Sequence, residues 1–191
     1  MTNPHYSACR NRVGFAMGTG RCGTHCLAQL MSLERVIAST HERHPFNDTF
    51  HRYCKWYGLP VDAGGFIQTK AINIEKDLEH HAFSFEASAY LSLSIVELYQ
   101  FFGAKFLILA RSPEKVVNSY IRKGWYQQPY SRYNSHHIPS YQPGMKTHHF
   151  LGRIIPSGSI FDQWQQMTQV GKLAWYWNTL NSKIVEQLKN I

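Results

Sequence analysis

Residues 14–26 read GFAMGTGRCGTHC, a glycine-rich turn between a short apolar run and a segment with helical periodicity. The run at residues 13–17 has the length and composition of a buried parallel strand. The helix is predicted to begin near Thr24, with Cys26, Leu27, Leu30, Met31 and Leu33 on one buried face. A turn of this kind offers backbone N–H groups and a helix N-terminus to an anion. The stretch therefore predicts a strand, an anion-binding loop and a helix.

The loop keeps the glycine spacing of an ATP-binding phosphate loop but lacks two of its side chains. Gly18 and Gly23 keep the Walker A spacing, whereas Thr24 and His25 occupy the places of the lysine and of the hydroxyl that ligates magnesium. ATP-dependent phosphoryl transfer relies on that metal, so the substitutions disfavour it. We expect a less charged group here, held by loop amides and Arg21.

Further strand and helix signals follow along the chain. Short apolar runs at residues 36–39, 83–88 and 105–110 are typical of strands. Ser112, Pro113 and Glu114 form a helix start with serine as N-cap, and Gly124 is the expected stop. Strands alternating with helices predict a three-layer, P-loop-like α/β fold, with a central parallel sheet and helices on both faces. In such sheets ligands bind at the carboxyl ends of the strands.

The last third of the chain divides into an irregular stretch and a helical tail. Residues 125–158 are rich in Pro, Tyr, His, Ser and Gly, which predicts a loop or lid. Within residues 160–190, apolar side chains recur every three or four positions, which predicts one long helix or two broken near Gly171.

Composition restricts the partners and the cellular location. The formal net charge of +8 predicts an anionic partner. The sequence shows neither a run of about 18 apolar residues nor a signal peptide, so we expect no membrane span and a cytoplasmic location. The four cysteines form no CxxC pair and are expected to be reduced thiols. The histidines show no zinc-like spacing, so no metal is expected.

Two motifs together resemble the sulfotransferases that use 3′-phosphoadenosine 5′-phosphosulfate (PAPS). In that family the loop that binds the 5′-phosphosulfate has the form G-x-[RK]-[SGC]-G-[TS], which matches the stretch from Gly18 or Gly20 to Thr24, with Arg21 as the basic residue. The family binds the 3′-phosphate through an arginine at a strand end and a serine eight residues later. In KFLILARSPEKVVNSYIRKG, residues 105–124, these are Arg111 and Ser119.

The resemblance implies PAPS as the donor and a metal-independent, in-line transfer of the sulfuryl group to a hydroxyl or amine. The residues that it implies for the donor are Gly18, Thr19, Gly20, Arg21, Cys22, Gly23, Thr24, His25, Arg111 and Ser119. An arginine fork with a serine hydroxyl can hold a phosphate by charge-assisted hydrogen bonds. The alternative is a surface arginine capping a strand end and a serine at a solvated helix position.

The stretch STHERHPF, residues 39–46, contains the expected general base. Sulfotransferases of the heparan and tyrosyl-protein types have a glutamate in this loop, and Glu42 resembles it. Glu42 would take the acceptor's proton while Arg21 stabilises charge on the departing phosphate. An ion pair with Arg43 or another local cation is the structural alternative for Glu42. The alternative bases are His25, His41 and His44.

A weaker match lies at residues 83–91, where many members carry E-K-[ST]-P-x-Y-[LF]. Glu86, Ser88, Tyr90 and Leu91 match, whereas Ala87 replaces a lysine that often lies near the acceptor, which disfavours heparan-like acceptors. The resemblance covers residues 11–124 well. Because family members usually continue with another strand and a basic segment, we expect residues 1–191 to be a single sulfotransferase-like domain shortened at its C-terminus.

Other functions stay open at this level. A P-loop kinase for a small molecule or nucleotide is the alternative enzyme. A nucleic-acid-binding module could use RKGWYQQPYSRY, residues 122–133, by stacking rings on bases, although we do not expect it. A non-catalytic nucleotide-binding protein is a further alternative. The acceptor is open between a small molecule, a lipid and a carbohydrate, and the oligomeric state is open as well.

Overall fold

The computed structural model describes residues 9–127 and 151–191. Its sheet contains β1 (Val13–Gly18), β2 (Ile37–His41), β3 (Phe83–Ala87) and β4 (Lys105–Leu109) in the order β2-β3-β1-β4. All neighbouring strands run parallel. The predicted α/β fold with a central parallel sheet flanked by helices is confirmed.

Seven helices and a short 3₁₀ turn connect and cover the strands within the described residues. The helices are α1 (Thr24–Met31), α2 (Pro45–Tyr57), α3 (Ala63–His80), α4 (Ile95–Phe102), α5 (Pro113–Ile121), α6 (Ile160–Gln166) and α7 (Gln169–Leu188), and the 3₁₀ turn is Ala89–Leu91. Helix α1 packs with β2 and β3 on one face of the sheet. Helices α3, α4 and α7 contribute to the core on the other face.

The register brings the carboxyl ends of all four strands to one edge. Gly18 is level with Leu109 across the β1–β4 pair, and His41 is level with Ala87 across the β2–β3 pair. The segments that follow these strands therefore emerge side by side. They are the glycine-rich loop, the β2–α2 loop, the 3₁₀ turn and the start of α5.

Strand β1 is buried along its whole length and has two different faces. Val13, Phe15 and Met17 belong to the core formed with α3, α4 and α7. The opposite face consists of Gly14, Ala16 and Gly18. A Cβ at Gly14 would lie 2.9 Å from the Phe83 ring, so a larger side chain does not fit there without movement. An alanine at this position would require the Phe83 ring to shift.

The buried face of α1 differs from the prediction. Thr24 and Ala28 are the buried residues of the helix, whereas Leu30 and Leu33 are 60% and 75% exposed. Helix α1 ends at Met31, so Leu33 lies outside it. The predicted face is therefore correct only in part: Leu27 and Met31 pack against the core between α1 and the sheet, whereas Cys26, Leu30 and Leu33 are exposed.

The C-terminal helices separate at residues 167–168 and not near Gly171. Thr168 is the N-cap of α7, and its side chain accepts a hydrogen bond from the Gly171 N–H at 3.1 Å. Gly171 thus lies in the first turn of α7. Ser112 occupies the predicted N-cap position of α5, but its side chain makes no capping hydrogen bond.

The stretch predicted as a loop or lid, residues 125–158, lies partly outside the described residues. Within the described part, Trp125 and Tyr126 are buried, and Ile154 and Ile155 join them in a core with Trp164. Residues 152–158 form no regular helix or strand, and the four apolar residues named here pack inside the fold. Within the described ranges, the chain forms no helix that is both long and apolar enough to cross a membrane.

Candidate functional site

A cavity of about 650 Å³ opens at the carboxyl edge of the sheet. Its wall comes from the glycine-rich loop and the start of α1, the β2–α2 loop, α2, the 3₁₀ turn, α5 and its following turn, and α7. The residues that line it are Gly20, Arg21, Gly23, Thr24, His25, Cys26, His41, Glu42, Arg52, Ala89, Tyr90, Arg111, Tyr120, Lys123, Trp125 and Tyr176. This position agrees with the location of ligand sites in parallel sheets.

The glycine-rich loop turns sharply before α1 begins. Gly20, Arg21 and Gly23 have positive φ angles of 84°, 55° and 113°. Gly23 is the N-cap of α1 and has no side chain to cap the first turn. Thr24 and His25, at the N-terminal end of α1, line the cavity. Because no side chain caps the first backbone N–H groups of the helix, these donors can bind an oxyanion.

The two motifs singled out in the sequence meet at this loop. Arg111 Nη1 donates a hydrogen bond to the carbonyl oxygen of Arg21 at 3.0 Å. Arg21 Nε donates to Ser119 Oγ at 2.9 Å. The indole N–H of Trp177 donates to the Arg111 carbonyl at 3.1 Å. Arg21, Arg111 and Ser119 thus form one hydrogen-bonded cluster, with both arginines on the cavity wall.

Tyr120 stabilises the glycine-rich loop through a buried hydrogen bond. Its hydroxyl donates to the Thr19 carbonyl at 2.8 Å, and it also lies where a Cβ on Gly20 would be. Burial raises the pKa of the Tyr120 phenol well above its ordinary value, so the group remains a donor at neutral pH. The loop is thereby fixed by a buried contact and not by its glycines alone.

The residues that the resemblance implies for the donor divide into two groups. Those that line the cavity are Gly20, Arg21, Gly23, Thr24, His25 and Arg111. Gly18, Thr19, Cys22 and Ser119 lie behind this wall; Thr19 and Ser119 are buried. Burial also raises the pKa of the Cys22 thiol. These four support the loop and the first group faces the ligand space.

Glu42 lies in the cavity wall, and its structural alternative as an ion-pair partner is excluded for Arg43 but not for His41, whose Nε2 lies 3.9 Å from a Glu42 oxygen. Arg43 pairs with Asp77 at 2.6 Å instead of with Glu42. The Glu42 N–H donates to the Ala87 carbonyl at 3.1 Å, and its φ is 48°. Burial raises the pKa of the Glu42 carboxyl, an effect that Arg52 and Arg21 oppose. A half-buried carboxylate with a raised pKa suits a general base.

The three histidines proposed as alternative bases separate in the structure. His41 lines the cavity, with Nε2 3.2 Å from Thr24 Oγ1 and 3.9 Å from a Glu42 oxygen. Burial lowers the His41 pKa, with the nearby His25 adding to the effect. The rings of His25 and His41 meet edge to face at 4.9 Å. His44 does not line the cavity; its Nε2 is 2.9 Å from the amide nitrogen of Asn73.

A buried charge network beneath the site was not foreseen from the sequence. Lys70 Nζ on α3 lies 2.8 Å from Asp48 and 2.9 Å from Glu86, and all three side chains are buried. Burial raises the Asp48 pKa to about 7, although Lys70 opposes it. For Glu86, burial acts in the same direction, but the charge of Lys70 prevails and lowers the pKa. The Glu86 that matched the family motif is therefore a structural anion, paired with a lysine that no motif marked.

Arg52 is the second residue that sequence reasoning missed. It belongs to α2, is 1% exposed and lines the cavity. His51 and Tyr53 flank it in the sequence, and neither gives a turn or motif signal that would indicate a buried cation.

No group of three or more metal-ligating side chains is found in the part of the chain that the structure describes.

The chain was compared with models of known protein families, with curated proteins and with solved structures, and none of these comparisons gave a match.

Proposed function

We propose that the protein transfers the sulfuryl group of PAPS to a hydroxyl or amine acceptor without a metal ion. The observation that carries this proposal is the hydrogen bond of 3.0 Å from Arg111 to the carbonyl of Arg21, across 90 residues of sequence. It joins the two motifs that resemble the family's 5′- and 3′-phosphate sites at a single cavity. Two motifs in the correct order that also meet in space are far more specific than a glycine-rich loop alone.

The donor fits the charges of the wall. The loop amides and the N-terminus of α1 would hold the 5′-phosphosulfate, next to Arg21. Arg111 would pair with the 3′-phosphate through its planar fork. Thr24 occupies the place of the Walker A lysine and His25 that of the magnesium-binding hydroxyl. Those substitutions favour a donor whose transferred group needs no metal to neutralise it.

The transfer itself requires one base and one stabilised leaving group. The acceptor oxygen or nitrogen attacks sulfur, and its proton passes to the Glu42 carboxylate. As the new bond forms, the bond between sulfur and the bridging oxygen of the 5′-phosphate breaks. Arg21 and the loop amides stabilise the charge that collects on that phosphate. The products are a sulfated acceptor and adenosine 3′,5′-bisphosphate.

Isothermal titration with adenosine 3′,5′-bisphosphate in the presence of EDTA tests the proposal. We expect binding that Arg111→Met weakens at least about tenfold, because one charge-assisted contact is lost. Adenosine 5′-monophosphate, which lacks the 3′-phosphate, should bind wild type and Arg111→Met similarly. The exposed Arg35 provides the matched control, since Arg35→Met removes the same charge away from the cavity. A folded protein that fails to bind the bisphosphate, or magnesium-dependent turnover of ATP, would overturn the proposal.

A further inference from the structure

Arg52 is a buried cation in the cavity wall that makes no direct ion pair, although its charge acts on the Glu42 carboxyl. Its side chain is 1% exposed, and no carboxylate within residues 9–127 and 151–191 lies within ion-pairing distance of it. By contrast, the buried Lys70 has two carboxylates within ion-pairing distance. A buried charge without a direct ion pair is unfavourable. A ligand that brings an anion to this wall would relieve that cost.

The hydrogen bonds of Arg52 leave part of its donor capacity unused. Nη1 donates to the Ala89 carbonyl at 3.1 Å and to Ser92 Oγ at 3.5 Å, and Nη2 donates to the Gly152 carbonyl at 2.9 Å. The Nε–H is buried and has no acceptor among the described residues. The two carbonyl contacts hold the guanidinium in a fixed position, so little side-chain entropy would be lost when it pairs with an anion.

Aromatic rings surround the cavity next to this cation. The Arg52 guanidinium lies 5.1 Å from the centre of the Tyr90 ring. Tyr120 and Trp125 meet with ring centres 4.2 Å apart, and Tyr176 packs against both. All four rings contribute to the wall. A flat, apolar molecular body would be favoured here, with an anionic group directed to Arg52.

Glu42 connects this region to the glycine-rich loop. The charges of Arg52 and of Arg21 both act on its carboxyl group and lower its pKa against the effect of burial. Both arginines line the same cavity as Glu42. Because Arg21 and Arg111 serve the donor in the proposed function, Arg52 is the buried cation left for the acceptor.

We propose that the acceptor is a small aromatic hydroxy acid whose carboxylate pairs with Arg52 while its hydroxyl faces Glu42. This inference rests on the proposed sulfuryl transfer for the identity of the reaction, but not for the anion subsite itself. Pockets of about 300–1,000 Å³ hold one drug-sized ligand. A cavity of about 650 Å³ that also takes a nucleotide leaves room for a small acceptor group.

A matched pair of probes separates recognition of the carboxylate from recognition of the ring and the phenol. 4-Hydroxyphenylacetate and 4-hydroxyphenylacetamide have the same ring and phenol, and the methylene group insulates the phenol from the change. Each is titrated into wild-type protein, with and without saturating adenosine 3′,5′-bisphosphate, and binding is measured by saturation-transfer NMR. We expect the acid to bind at least about tenfold more tightly than the amide, since it gains a charge-assisted pair in a buried site.

Variants of Arg52 then test whether this residue causes the preference for the acid over the amide. In Arg52→Met the acid-to-amide ratio should fall to about one, whereas Arg35→Met should retain the wild-type ratio. Arg52→Lys keeps the charge without the fork and should give an intermediate ratio. Circular dichroism and thermal melting establish that each variant is folded, because Arg52 also holds the Ala89 and Gly152 carbonyls. If Arg52→Met does not fold, Arg52→Lys and the wild-type pair decide the question.

The outcomes are separable from those of the proposed function. Equal binding of acid and amide by wild type, or no binding of the acid, overturns the anion subsite even if the bisphosphate binds. A ratio that persists in Arg52→Met also overturns it. Conversely, an acid preference that depends on Arg52 supports the subsite even if the bisphosphate does not bind, in which case only the sulfuryl-transfer reaction is refuted.

Discussion

Arg21 Nε donates a hydrogen bond to Ser119 Oγ at 2.9 Å, although 98 residues separate them in the sequence. The bond holds the Arg21 guanidinium of the glycine-rich loop against α5, the helix that follows β4. Arg21 also receives, at its carbonyl, the hydrogen bond from Arg111. The anion-binding loop is thus positioned by α5 and the β4–α5 junction, and its geometry depends on long-range contacts.

The first prediction concerns this pair. Ser119→Ala should weaken bisphosphate binding several-fold, because Arg21 loses the acceptor that orients it. Arg21→Met should weaken it more. In the double variant the two effects should not add; residues in direct contact typically show interaction energies of about 0.5–3 kcal/mol. Isothermal titration of all four proteins measures the coupling. Strict additivity would mean that the bond does not orient Arg21 for the ligand.

The second prediction concerns Glu42. If it is the base, Glu42→Gln should reduce transfer by about 10²–10⁴-fold while bisphosphate affinity changes little. Since burial raises the Glu42 pKa above its ordinary value of 4.5, the rate of the wild type should decline as the pH falls through that raised pKa. The reason is that the protonated carboxyl cannot accept the acceptor's proton. The variant should lack this acid limb.

His41 provides the decisive comparison for that experiment. It lines the same cavity and lies 3.9 Å from Glu42, and its neutral imidazole could also take a proton. His41→Gln should retain the acid limb and most of the rate. A wild-type rate in Glu42→Gln, together with a large loss in His41→Gln, would transfer the role of base to the histidine.

The third prediction tests the packing of the loop on Tyr120. Gly20→Ala should be destabilising for two reasons: the φ of 84° strains any side-chain-bearing residue, and the new Cβ would overlap the Tyr120 hydroxyl. Gly58 is the matched control, with a φ of 63° and no atom within 4 Å of a Cβ built there. Gly58→Ala should cost about 1–2 kcal/mol from strain alone. Urea denaturation should show a larger loss for Gly20→Ala, and equal losses would refute the overlap.

The fourth prediction follows from the titration of Asp48. Its pKa is raised from 3.8 to about 7 in the folded protein. Between these two values the folded state keeps a proton that the unfolded state has released. The stabilising contribution of Asp48 is therefore complete below the unfolded pKa and is lost as the pH rises through the folded pKa. Asp48→Asn removes this titration and should flatten the pH dependence of the unfolding free energy.

Urea denaturation at about pH 5 and about pH 7.5 measures that difference. Each tenfold difference in proton affinity between the folded and unfolded states corresponds to about 1.4 kcal/mol. The wild type should therefore lose more than about 1 kcal/mol relative to Asp48→Asn over this interval. Glu34 is exposed, and Glu34→Gln serves as the control with the wild-type pH dependence. Parallel curves for wild type and Asp48→Asn would contradict the prediction.

The strands and the loop could be predicted because their signals are local. Apolar runs of four to six residues between glycines and polar residues identify strands, and a strand-to-helix glycine turn identifies the loop. Arg111 and Ser119 were identified through the resemblance to the sulfotransferase motif, and the shared edge of strand ends in a parallel sheet supported the position of Arg111. The exposed Leu30 and Leu33 show the limit of periodicity, since the partner face of the sheet decides which side of a helix is buried.

The charged residues beneath the site could not be predicted. Arg52, Lys70 and Asp48 lie on α2 and α3, and charged residues in amphipathic helices are usually exposed. Each has a partner from another segment of the chain. Lys70 pairs with Asp48 and Glu86, and Arg52 donates hydrogen bonds to the carbonyls of Ala89 and Gly152. Such partners become visible only once the helices are placed on the sheet.

Arg21 and Glu42, the two residues given the central chemical roles, both have left-handed backbone conformations, with φ of 55° and 48°. Glycine would adopt either conformation without the strain of a side chain, which costs about 1–2 kcal/mol for other residues. A selection for thermal stability alone should therefore replace both residues by glycine or asparagine. A selection for activity should hold them in place. Selection for stability and selection for activity should therefore favour different residues at these two positions. Sequencing the survivors of each selection would show which requirement maintains Arg21 and Glu42.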